Sequence, residues 1–346
     1  EIPAGVTVSI SGLTIQNAGD SGIYNAGTLT ITDSTFFGNT GRETLSYPGG
    51  GGIHNEGNLT ITGSTFSNNT ADNGGGIYNN RGDLSITNSN FTSNSALLNG
   101  SGIYNKLGTL SIADTVFAGN SAYADGGGIY NGHGRLTIMN STFTDNIASD
   151  NSLGAHSGGG ISNIRGECAV TNSIFSGNSA SIGGGISSED GSLSVASSTF
   201  INNSANNGGG IHNTSGSLII TDSIFTDNSV RVSGGGVLNT NGTATITNST
   251  FSNNSAASYG GGVSNDNGNL TIVSSTFTDN LASQEGGGIN NYQSTLFIVN
   301  STFSGNSTNY GGAISTGRRN TVIVNGTLNG NSANIRGGGV FIGENG

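Results

Sequence analysis

Apolar and polar residues alternate in short runs along the whole chain. In Leu59-Thr60-Ile61-Thr62 the two apolar residues lie on one face and the threonines on the other, and Ser64-Thr65-Phe66 continues the alternation. A period of two residues predicts a half-buried β-strand. No stretch has the 3.6-residue period of an amphipathic helix. The pattern therefore predicts an all-β protein.

The runs recur at a regular interval, which is clearest from the apolar residue that follows each glycine run. These residues are Ile23, Ile53, Ile77, Ile103, Ile129, Ile161, Ile186, Ile211, Val237, Val263, Ile289, Ile314 and Val340. A fixed period indicates stacked units, none of which buries its apolar face alone. Three short strands per repeat, with no helix to link them, predict a right-handed parallel β-helix of about 13 coils of roughly 25 or 26 residues.

Asparagine recurs three residues after the phenylalanine of each repeat. This residue tolerates left-handed backbone, and when stacked at strand spacing its amides can bond from coil to coil. We expect a structural ladder of Asn39, Asn69, Asn94, Asn120, Asn146, Asn178, Asn203, Asn228, Asn254, Asn280, Asn306 and Asn331. A second asparagine column, which includes Asn25, Asn55 and Asn79, predicts another corner of the coil.

The repeat has no gap in which a linker could lie, so residues 1–346 are expected to form one solenoid. The sequence enters and leaves the repeat in mid-coil. Since solenoids need polar caps, we expect either a segment of a longer polypeptide or ends that partners cover.

Composition narrows the range of partners. The formal net charge is −11, and the nine lysines and arginines are scattered singly. Such a surface predicts no binding to nucleic acid or to anionic membranes. No apolar stretch of 18 residues occurs, which predicts no direct membrane insertion. The single cysteine, Cys168, takes the place of a core leucine and is read as a small buried thiol.

The alternation of GGxI with FxxN resembles the repeats of the polymorphic outer membrane proteins of chlamydiae and their relatives. The literal GGAI stands once, at Gly311-Gly312-Ala313-Ile314, and the third position is elsewhere mostly glycine. FxxN is intact from Phe36-Asn39 onwards, with Leu328-Asn331 as the variant. The resemblance implies a β-helical passenger of an autotransporter adhesin, located outside the cell or on its surface.

One column of the predicted first strand is aromatic. The residues after the isoleucines include Tyr24, His54, Tyr78, Tyr104 and Tyr130. A stripe of rings at strand spacing suits sugars or an apolar protein surface. The same rings could instead stabilise their own sheet by contacts between neighbouring strands. We take them as ligand-binding candidates.

Charged residues gather at the turn after the second asparagine column. They are Glu56, Arg81, Asp83, Lys106, His133, Arg135, Arg165, Glu167, Glu189 and Asp190. One interpretation is a solvated edge whose opposite charges pair between coils. Another is a site, and here Arg81-Gly82-Asp83 is a candidate adhesion motif because integrins read this tripeptide on a tight turn.

The same columns of residues bear on two other classes of function, a polysaccharide-active enzyme and an ice-binding protein. A polysaccharide-active enzyme needs carboxylates on adjacent coils, and the acidic residues around the phenylalanines are separated by neutral coils. The long turn 148–158, with Asp150 and His156, is the remaining place for such a site. Paired threonines such as Thr60 and Thr62 resemble the face of β-helical ice-binding proteins. No metal or cofactor is predicted.

The sequence therefore predicts a non-enzymatic extracellular β-helix that acts as a cell-surface adhesin or a rigid stalk, with a protein or glycan on a cell surface as partner. The alternative is a structural fibre in which further copies of the chain stack end to end. That alternative draws on the open terminal coils and on the apolar outer residues of the last coils, such as Phe297 and Val322.

Overall fold

A computed structural model describes residues 1–41, 49–148, 156–317 and 319–343. Four short strands form each coil, as in the coil that runs through Ile77–Asn80, Asp83–Thr87, Asn90–Thr92 and Ser95–Ala96. The strands pair in parallel with the equivalent strands of the next coil, in register as in these four examples. The register shifts within two pairings, between Ala205 and Asn207 and between Thr308 and Tyr310. The described residues contain no helix. The chain is thus an all-β parallel β-solenoid, as predicted.

The four sheets are named here by the residue that each strand places in the core: the Ile, Leu, Phe and Ala sheets. The first three correspond to the three strands that the sequence predicts. The fourth, of which Ser95–Ala96 is an example, was missed. Its strands are often only two residues long, too short for a period of two to show. The recurring alanine after the asparagine was its only sequence signal.

Contacts group the described residues into two units, of which the first comprises Glu1–Ala169 and Asn178–Ala180. Its Ile sheet contains Ile23–Asn25, Ile53–Asn55, Ile77–Asn80, Ile103–Lys106, Ile129–Gly132 and Ile161–Ile164. Its Leu sheet contains Thr7–Ser11, Thr28–Thr32, Asn58–Thr62, Asp83–Thr87, Thr109–Ala113 and Arg135–Met139. Its Phe sheet contains Thr14–Gln16, Thr35–Phe37, Thr65–Ser67, Asn90–Thr92, Val116–Ala118 and Thr142–Thr144. Its Ala sheet contains Thr40–Gly41, Thr70–Ala71, Ser95–Ala96, Ser121–Ala122, Ile147–Ala148 and Ser179–Ala180.

The second unit comprises Val170–Gly177 and Ser181–Gly346; the strand Glu167–Thr171 begins in the first unit and ends in the second. Its Ile sheet contains Ile186–Glu189, Ile211–Thr214, Val237–Thr240, Val263–Asp266, Ile289–Tyr292, Ile314–Thr316 and Val340–Ile342. Its Leu sheet contains Ser192–Ala196, Ser217–Thr221, Thr243–Thr247, Asn269–Val273, Thr295–Val299 and Thr321–Val324. Its Phe sheet contains Ile174–Ser176, Thr199–Ile201, Ile224–Thr226, Thr250–Ser252, Thr276–Thr278, Thr302–Ser304 and Thr327–Asn329. Its Ala sheet contains Ser204–Asn207, Ser229–Ser233, Ser255–Ala256, Leu281–Ala282, Ser307–Tyr310 and Ser332–Arg336.

These strands make about twelve complete turns in the described residues, because the Ala sheet has twelve members and each other sheet thirteen. This is close to the predicted number of coils. The predicted right hand and the organisation as one domain stay predictions.

Stacked phenylalanine rings fill the interior of each unit. In the first unit Phe66 and Phe91 lie 4.7 Å apart between ring centroids with 2° between their planes, and both are fully buried. In the second unit Phe225 and Phe251 have the same spacing, with 4° between planes. Because the ring spacing equals the distance between coils, each ring packs on the next without any adjustment of the backbone.

Candidate functional site

The predicted asparagine column lies inside the solenoid, where it pins one corner of each coil. Asn94 donates from Nδ2 to Oδ1 of Asn120 at 3.0 Å, and its backbone N–H donates to the same oxygen at 3.1 Å. Asn94 Nδ2 also donates to the carbonyl oxygen of Phe66, at an N···O distance of 2.9 Å. In the second unit Asn228 and Asn254 repeat the arrangement. Of the twelve ladder residues all but Asn331 are buried.

The second asparagine column forms another ladder at the corner between the Ile and Leu sheets. Asn79 donates to Oδ1 of Asn105 at 2.7 Å and to the carbonyl of Gly82 at 2.8 Å. In the second unit the ladder runs through Asn213, which donates to Asn239 at 2.7 Å. Ser188 stands where the preceding asparagine would be, and no described group donates to Asn213 Oδ1. The serine therefore interrupts this ladder.

A third ladder, which sequence reasoning missed, consists of the hydroxyl residues two positions before the phenylalanines. Ser64 Oγ accepts the backbone N–H of Ser34 at 3.1 Å and donates to the carbonyl of Thr62 at 3.0 Å. Ser223 and Ser249 do the same in the second unit. The recurring serine in the triplet Ser-Thr-Phe was the available signal. With three ladders turned inward, most of the hydrogen bonding at the corners is satisfied within the solenoid, and Asn213 Oδ1 is an exception.

The five aromatic candidates Tyr24, His54, Tyr78, Tyr104 and Tyr130 form one continuous stack on the outer side of the Ile sheet. Their centroids lie 4.8–5.0 Å apart, and the last pair is nearly parallel, with 4° between planes. Their side chains are less exposed to solvent than the alternation of apolar and polar residues suggests. His54 and Tyr78 are buried, at 1% and 3% exposure, and the other three are partly exposed. Each ring covers the faces of its neighbours, so edges and hydroxyl groups are what solvent meets.

These five stacked rings form the ring column. The carboxylate of Glu56 lies beside one end of the ring column, where Tyr24 stands. Tyr24 donates its hydroxyl to Glu56 Oε2 at 2.7 Å, Asn80 donates to Oε1 at 3.2 Å, and His54 Nε2 lies 3.4 Å from Oε1. Partial burial raises the pKa of Glu56, but the hydrogen bonds from Tyr24 and Asn80 and the nearby His54 together lower it below its usual value. This cluster holds Glu56 ionised and fixes the edge of the column.

In the second unit the corresponding position carries smaller or different side chains: Ser187, His212, Leu238, Ser264 and Asn290. His212 contacts the hydroxyl groups of Thr240 and Thr214 at 3.4 Å and 3.3 Å. Burial lowers the pKa of His212 to about 4, so its imidazole is neutral at physiological pH.

The tripeptide Arg81-Gly82-Asp83 forms the corner between the strands Ile77–Asn80 and Asp83–Thr87. Arg81 has a φ of +64° and is exposed, as is Asp83. Gly82 is buried, and a Cβ atom there would lie 2.4 Å from Asn55 Nδ2 and from the carbonyl oxygen of Gly57. A receptor can thus reach the two charged side chains but not the glycine between them, and the tripeptide does not project as a loop.

The charged residues at this corner include an ion pair between two coils. Arg135 Nε lies 3.7 Å from Glu167 Oε2, with 66% and 60% of the two side chains exposed. Within the described part of the chain Arg81 and Lys106 have no carboxylate within 4.0 Å. Arg81, Lys106, His133 and Arg165 are exposed.

Two exposed apolar clusters lie elsewhere on the surface. Leu97, Leu98 and Tyr123, with exposures of 59%, 45% and 51%, lie on neighbouring turns between the Ala and Ile sheets, and sequence reasoning missed them. On the Leu sheet of the second unit, Phe297 pairs with Val322 in register, and their exposures are 40% and 45%. The outer threonines Thr60 and Thr62 lie on the Leu sheet of the first unit.

In the described residues, the positions proposed for an enzyme do not bring catalytic side chains together. Asp150 lies outside them, and the ring of His156 lies 6.4 Å from that of Tyr123. Nowhere in the described ranges do three or more histidine, cysteine or acidic side chains gather as metal ligands would. Burial raises the pKa of the Cys168 thiol to about 12, which keeps it protonated. None of the described residues forms a helix long and apolar enough to span a membrane.

The fold and its ladders define a repeat protein of the parallel β-solenoid class. Five segments match the model of the Chlamydia polymorphic membrane protein repeat: residues 63–80, 114–132, 197–214, 248–266 and 300–317. The chain therefore carries polymorphic membrane protein repeats, and the resemblance drawn from GGxI and FxxN is confirmed.

Comparison with solved structures gives distant likenesses. PfbA, a surface adhesin of Streptococcus pneumoniae, has a TM-score of 0.45 and 10% identity over 87% of this chain and 82% of that chain. The alginate lyase AlyGC of family PL6 has a TM-score of 0.37 and 12% identity over 99% of this chain and 51% of that chain. The A-module of the mannuronan C-5 epimerase AlgE6 of Azotobacter vinelandii has a TM-score of 0.31 and 11% identity over 98% and 90%. Likenesses of this size assign no activity. No curated protein matches the chain.

Proposed function

We propose that this chain is part of a surface-displayed protein in which the β-solenoid acts as a non-enzymatic adhesin or rigid stalk. The observation that carries the proposal is the set of five polymorphic membrane protein repeats. Repeats of this kind form the exposed passenger of surface adhesins in the family that the sequence resembles. The chain would accordingly lie outside the cell, with a protein or glycan on another cell surface as its partner.

The contrast between a regular core and varied outward-facing residues supports this proposal. Inside, phenylalanine, asparagine and serine recur at equivalent positions from coil to coil. Outside, the central residue of the Leu-sheet strand is Thr60 in one coil, Ile219 in another and Phe297 in a third, and all three are exposed. Because the ladders and the ring stack hold each coil, the outer columns are free to differ. A scaffold with a uniform core and a varied surface suits recognition.

We place the contact surface on the accessible edge of the ring column. Tyr24, Tyr104 and Tyr130 are partly exposed, whereas His54 and Tyr78, which stand between Tyr24 and Tyr104 in the stack, are buried. Since the ring faces are occupied by neighbouring rings, a ligand would meet ring edges and phenolic hydroxyls. An amphipathic edge of this kind offers both apolar contact and hydrogen bonds.

The test combines location and binding. Antibody against the chain should label intact cells of the source organism, and the purified protein should bind target cells or immobilised glycans. The variant Tyr104→Ser/Tyr130→Ser should lose binding at least tenfold, by removing the most parallel pair of rings. Serine already stands at this position in Ser187 and Ser264, so the backbone accommodates it.

A matched control is Ile219→Ser/Ile224→Ser, which changes two outer residues with 48% and 46% exposure in the second unit. It should bind as the wild type does. Unchanged cell binding by the tyrosine variant, with an unchanged melting temperature, would assign the ring column a purely structural role. The adhesin proposal itself would be overturned if the antibody did not label intact cells of the source organism. It would also be overturned if the purified wild-type protein bound neither target cells nor immobilised glycans.

A further inference from the structure

A column of side chains runs along the turns that lead into the Ile sheet of the second unit. It consists of Ser233, Tyr259, Glu285, Tyr310 and Arg336, each of which directly precedes the glycines of its coil. Consecutive members pair in parallel, so they stand one coil apart. These five residues form the turn column. Its two tyrosines and its glutamate are partly exposed.

Two side chains of the turn column lie against the outer face of the Ile sheet. Glu285 Oε2 accepts a hydrogen bond from Ser315 Oγ at 2.9 Å. The ring of Tyr310 lies 5.1 Å from that of Phe341 between centroids, with 42° between the planes. Ser315 and Phe341 are neighbours in register on this face. The carboxylate and the ring therefore lie over adjacent coils of the same sheet.

The tyrosines of the turn column are spaced differently from the rings of the ring column. In the ring column an aromatic residue stands in every coil, and each ring covers the face of the next. In the turn column Glu285 separates Tyr259 from Tyr310, so these two residues stand two coils, or about 10 Å, apart. At that spacing the two rings do not cover each other's faces, because stacked pairs need centroids about 4.5–7 Å apart.

The outer face of the Ile sheet beside the turn column carries short polar side chains. Ser264, Asn290 and Ser315 follow one another in register and are buried, at 2%, 6% and 1% exposure. In the first unit the same face carries the ring column, and the residues before the glycines include Asn73, Asn99 and Asp125. The two units therefore carry their aromatic residues in different columns.

We propose that the turn column of the second unit binds a neutral saccharide. The C–H groups of a sugar ring carry a small positive charge and pack on the negative face of an aromatic ring. Sugar hydroxyl groups donate to a carboxylate, which has about four acceptor positions. Among the described side chains Ser315 alone donates to Glu285. A carboxylate between two tyrosines thus combines apolar contact with a hydrogen-bond acceptor, as ligand sites do.

The charges around the turn column favour a neutral ligand. Within the column the charges of Glu285 and Arg336 offset each other, and one further carboxylate, Asp266, ends the strand that carries Ser264. This is not a run of like charges of the kind that selects a polyanion or a polycation.

The pairing of the strands argues against an extended peptide as the ligand. Such a peptide gains affinity by adding to a free strand edge, whereas the strand Ile289–Tyr292 is already paired on both sides. The inference goes beyond the proposed function, because it assigns a second surface and a class of ligand and does not depend on the ring column.

The test measures binding of the full chain to immobilised dextran, mannan and galactan, with heparin as the anionic polymer for comparison. One decisive variant is Tyr259→Ser/Tyr310→Ser, which copies Ser233 of the same column. The second is Glu285→Gln, which removes the charge but keeps an oxygen that can accept from Ser315. The matched control is Ile219→Thr/Phe297→Thr, which changes residues of the Leu sheet with 48% and 40% exposure. Threonine stands beside both, as Thr245 and Thr271.

We expect the wild type to bind at least one of the neutral polymers, with an affinity that salt hardly changes. The tyrosine variant should bind at least tenfold more weakly and Glu285→Gln at least threefold more weakly, whereas the control should bind within twofold of the wild type. Binding to none of the neutral polymers, binding to heparin alone, or equal losses in the tyrosine variant and the control would each overturn the proposal.

A further comparison separates this proposal from that for the ring column. The variant Tyr104→Ser/Tyr130→Ser should bind the saccharide as the wild type does, even if it no longer attaches to cells. Loss of saccharide binding in that variant, with binding retained in Tyr259→Ser/Tyr310→Ser, would assign the sugar to the ring column and overturn the inference.

Discussion

Gly76 lies against the ring edge of Phe91: a Cβ atom on Gly76 would lie 3.0 Å from Cδ1 of Phe91 and 2.5 Å from the carbonyl oxygen of Gly102. The same relation joins Gly185 to Phe200 and Gly262 to Phe277, with Cβ to Cδ1 distances of 2.9 Å. The literal alanine of the family motif, Ala313, stands in the coil where Leu328 replaces phenylalanine. The glycine at the third motif position is thus explained by the size of the ring it faces.

Gly76→Ala should therefore destabilise the protein by about 1–3 kcal/mol, because the methyl group must displace a carbonyl or the phenylalanine ring. Phe91→Leu in the same chain should recover part of that loss, and a double-mutant cycle measured by chemical unfolding gives the coupling. Gly19→Ala serves as the control, since a Cβ atom there meets nothing within 4 Å. Strict additivity of the two substitutions would contradict the proposed steric coupling.

Ser188→Asn should stabilise the second unit. The new amide would donate to Asn213 Oδ1, which is buried and has no donor among the described groups, as Asn213 itself donates to Asn239 at 2.7 Å. A restored buried hydrogen bond is worth about 1–2 kcal/mol. The midpoint of denaturant unfolding should rise.

The control for this substitution is Ser192→Asn, at the exposed first position of a strand where Asn269 stands in another coil. It should leave stability within about 0.5 kcal/mol of the wild type. If Ser188→Asn is neutral or destabilising, the unpaired oxygen of Asn213 is not the defect inferred here.

Periodicity predicted the solenoid because the core-facing residues of a strand recur every second position. The columns of Phe91 and Asn94 were therefore readable without coordinates. The sequence did not predict how deeply the outward-facing column of Tyr78 is buried. Alternation shows that Tyr78 points away from the core, but the rings of His54 and Tyr104, which lie in other coils, decide that only 3% of it is exposed.

The adhesion tripeptide illustrates the same limit. Arg81, Gly82 and Asp83 are adjacent in the sequence, which places them at the turn after the second asparagine column. That Gly82 packs against Asn55 and Gly57 depends on the stacking of coils more than twenty residues apart. Likewise the residues at the corner between the Ile and Leu sheets come from successive coils, and only the observed register shows which of them lie side by side.

Leu107 occupies the same corner as Arg81, one coil further on, and has a φ of +63° with 44% of its surface exposed. A leucine in left-handed backbone costs roughly 1–2 kcal/mol, and asparagine tolerates this conformation better. Leu107→Asn should therefore raise stability by about 0.5–1 kcal/mol. Leu107→Ala, which keeps a Cβ atom and adds no polar group, should give no such gain in thermal unfolding. Equal effects of asparagine and alanine would show that backbone strain is not the cause.

His212 should make stability depend on pH in a defined window. Burial lowers its pKa to about 4 in the folded state, against about 6.5 in an unfolded chain. Between these values the unfolded state binds more protons, so the free energy of unfolding rises with pH and is lost as the pH falls from about 7 to about 4. The loss that His212 contributes is up to about 3 kcal/mol. His212→Ser, which copies Ser187 and Ser264, removes the contribution of His212 to the pH dependence of the free energy of unfolding. The free energy of unfolding of wild type and variant, measured across the window, should therefore diverge progressively on acidification, in favour of the variant. Parallel curves would show that the imidazole is solvated well enough to accept a proton in the folded protein.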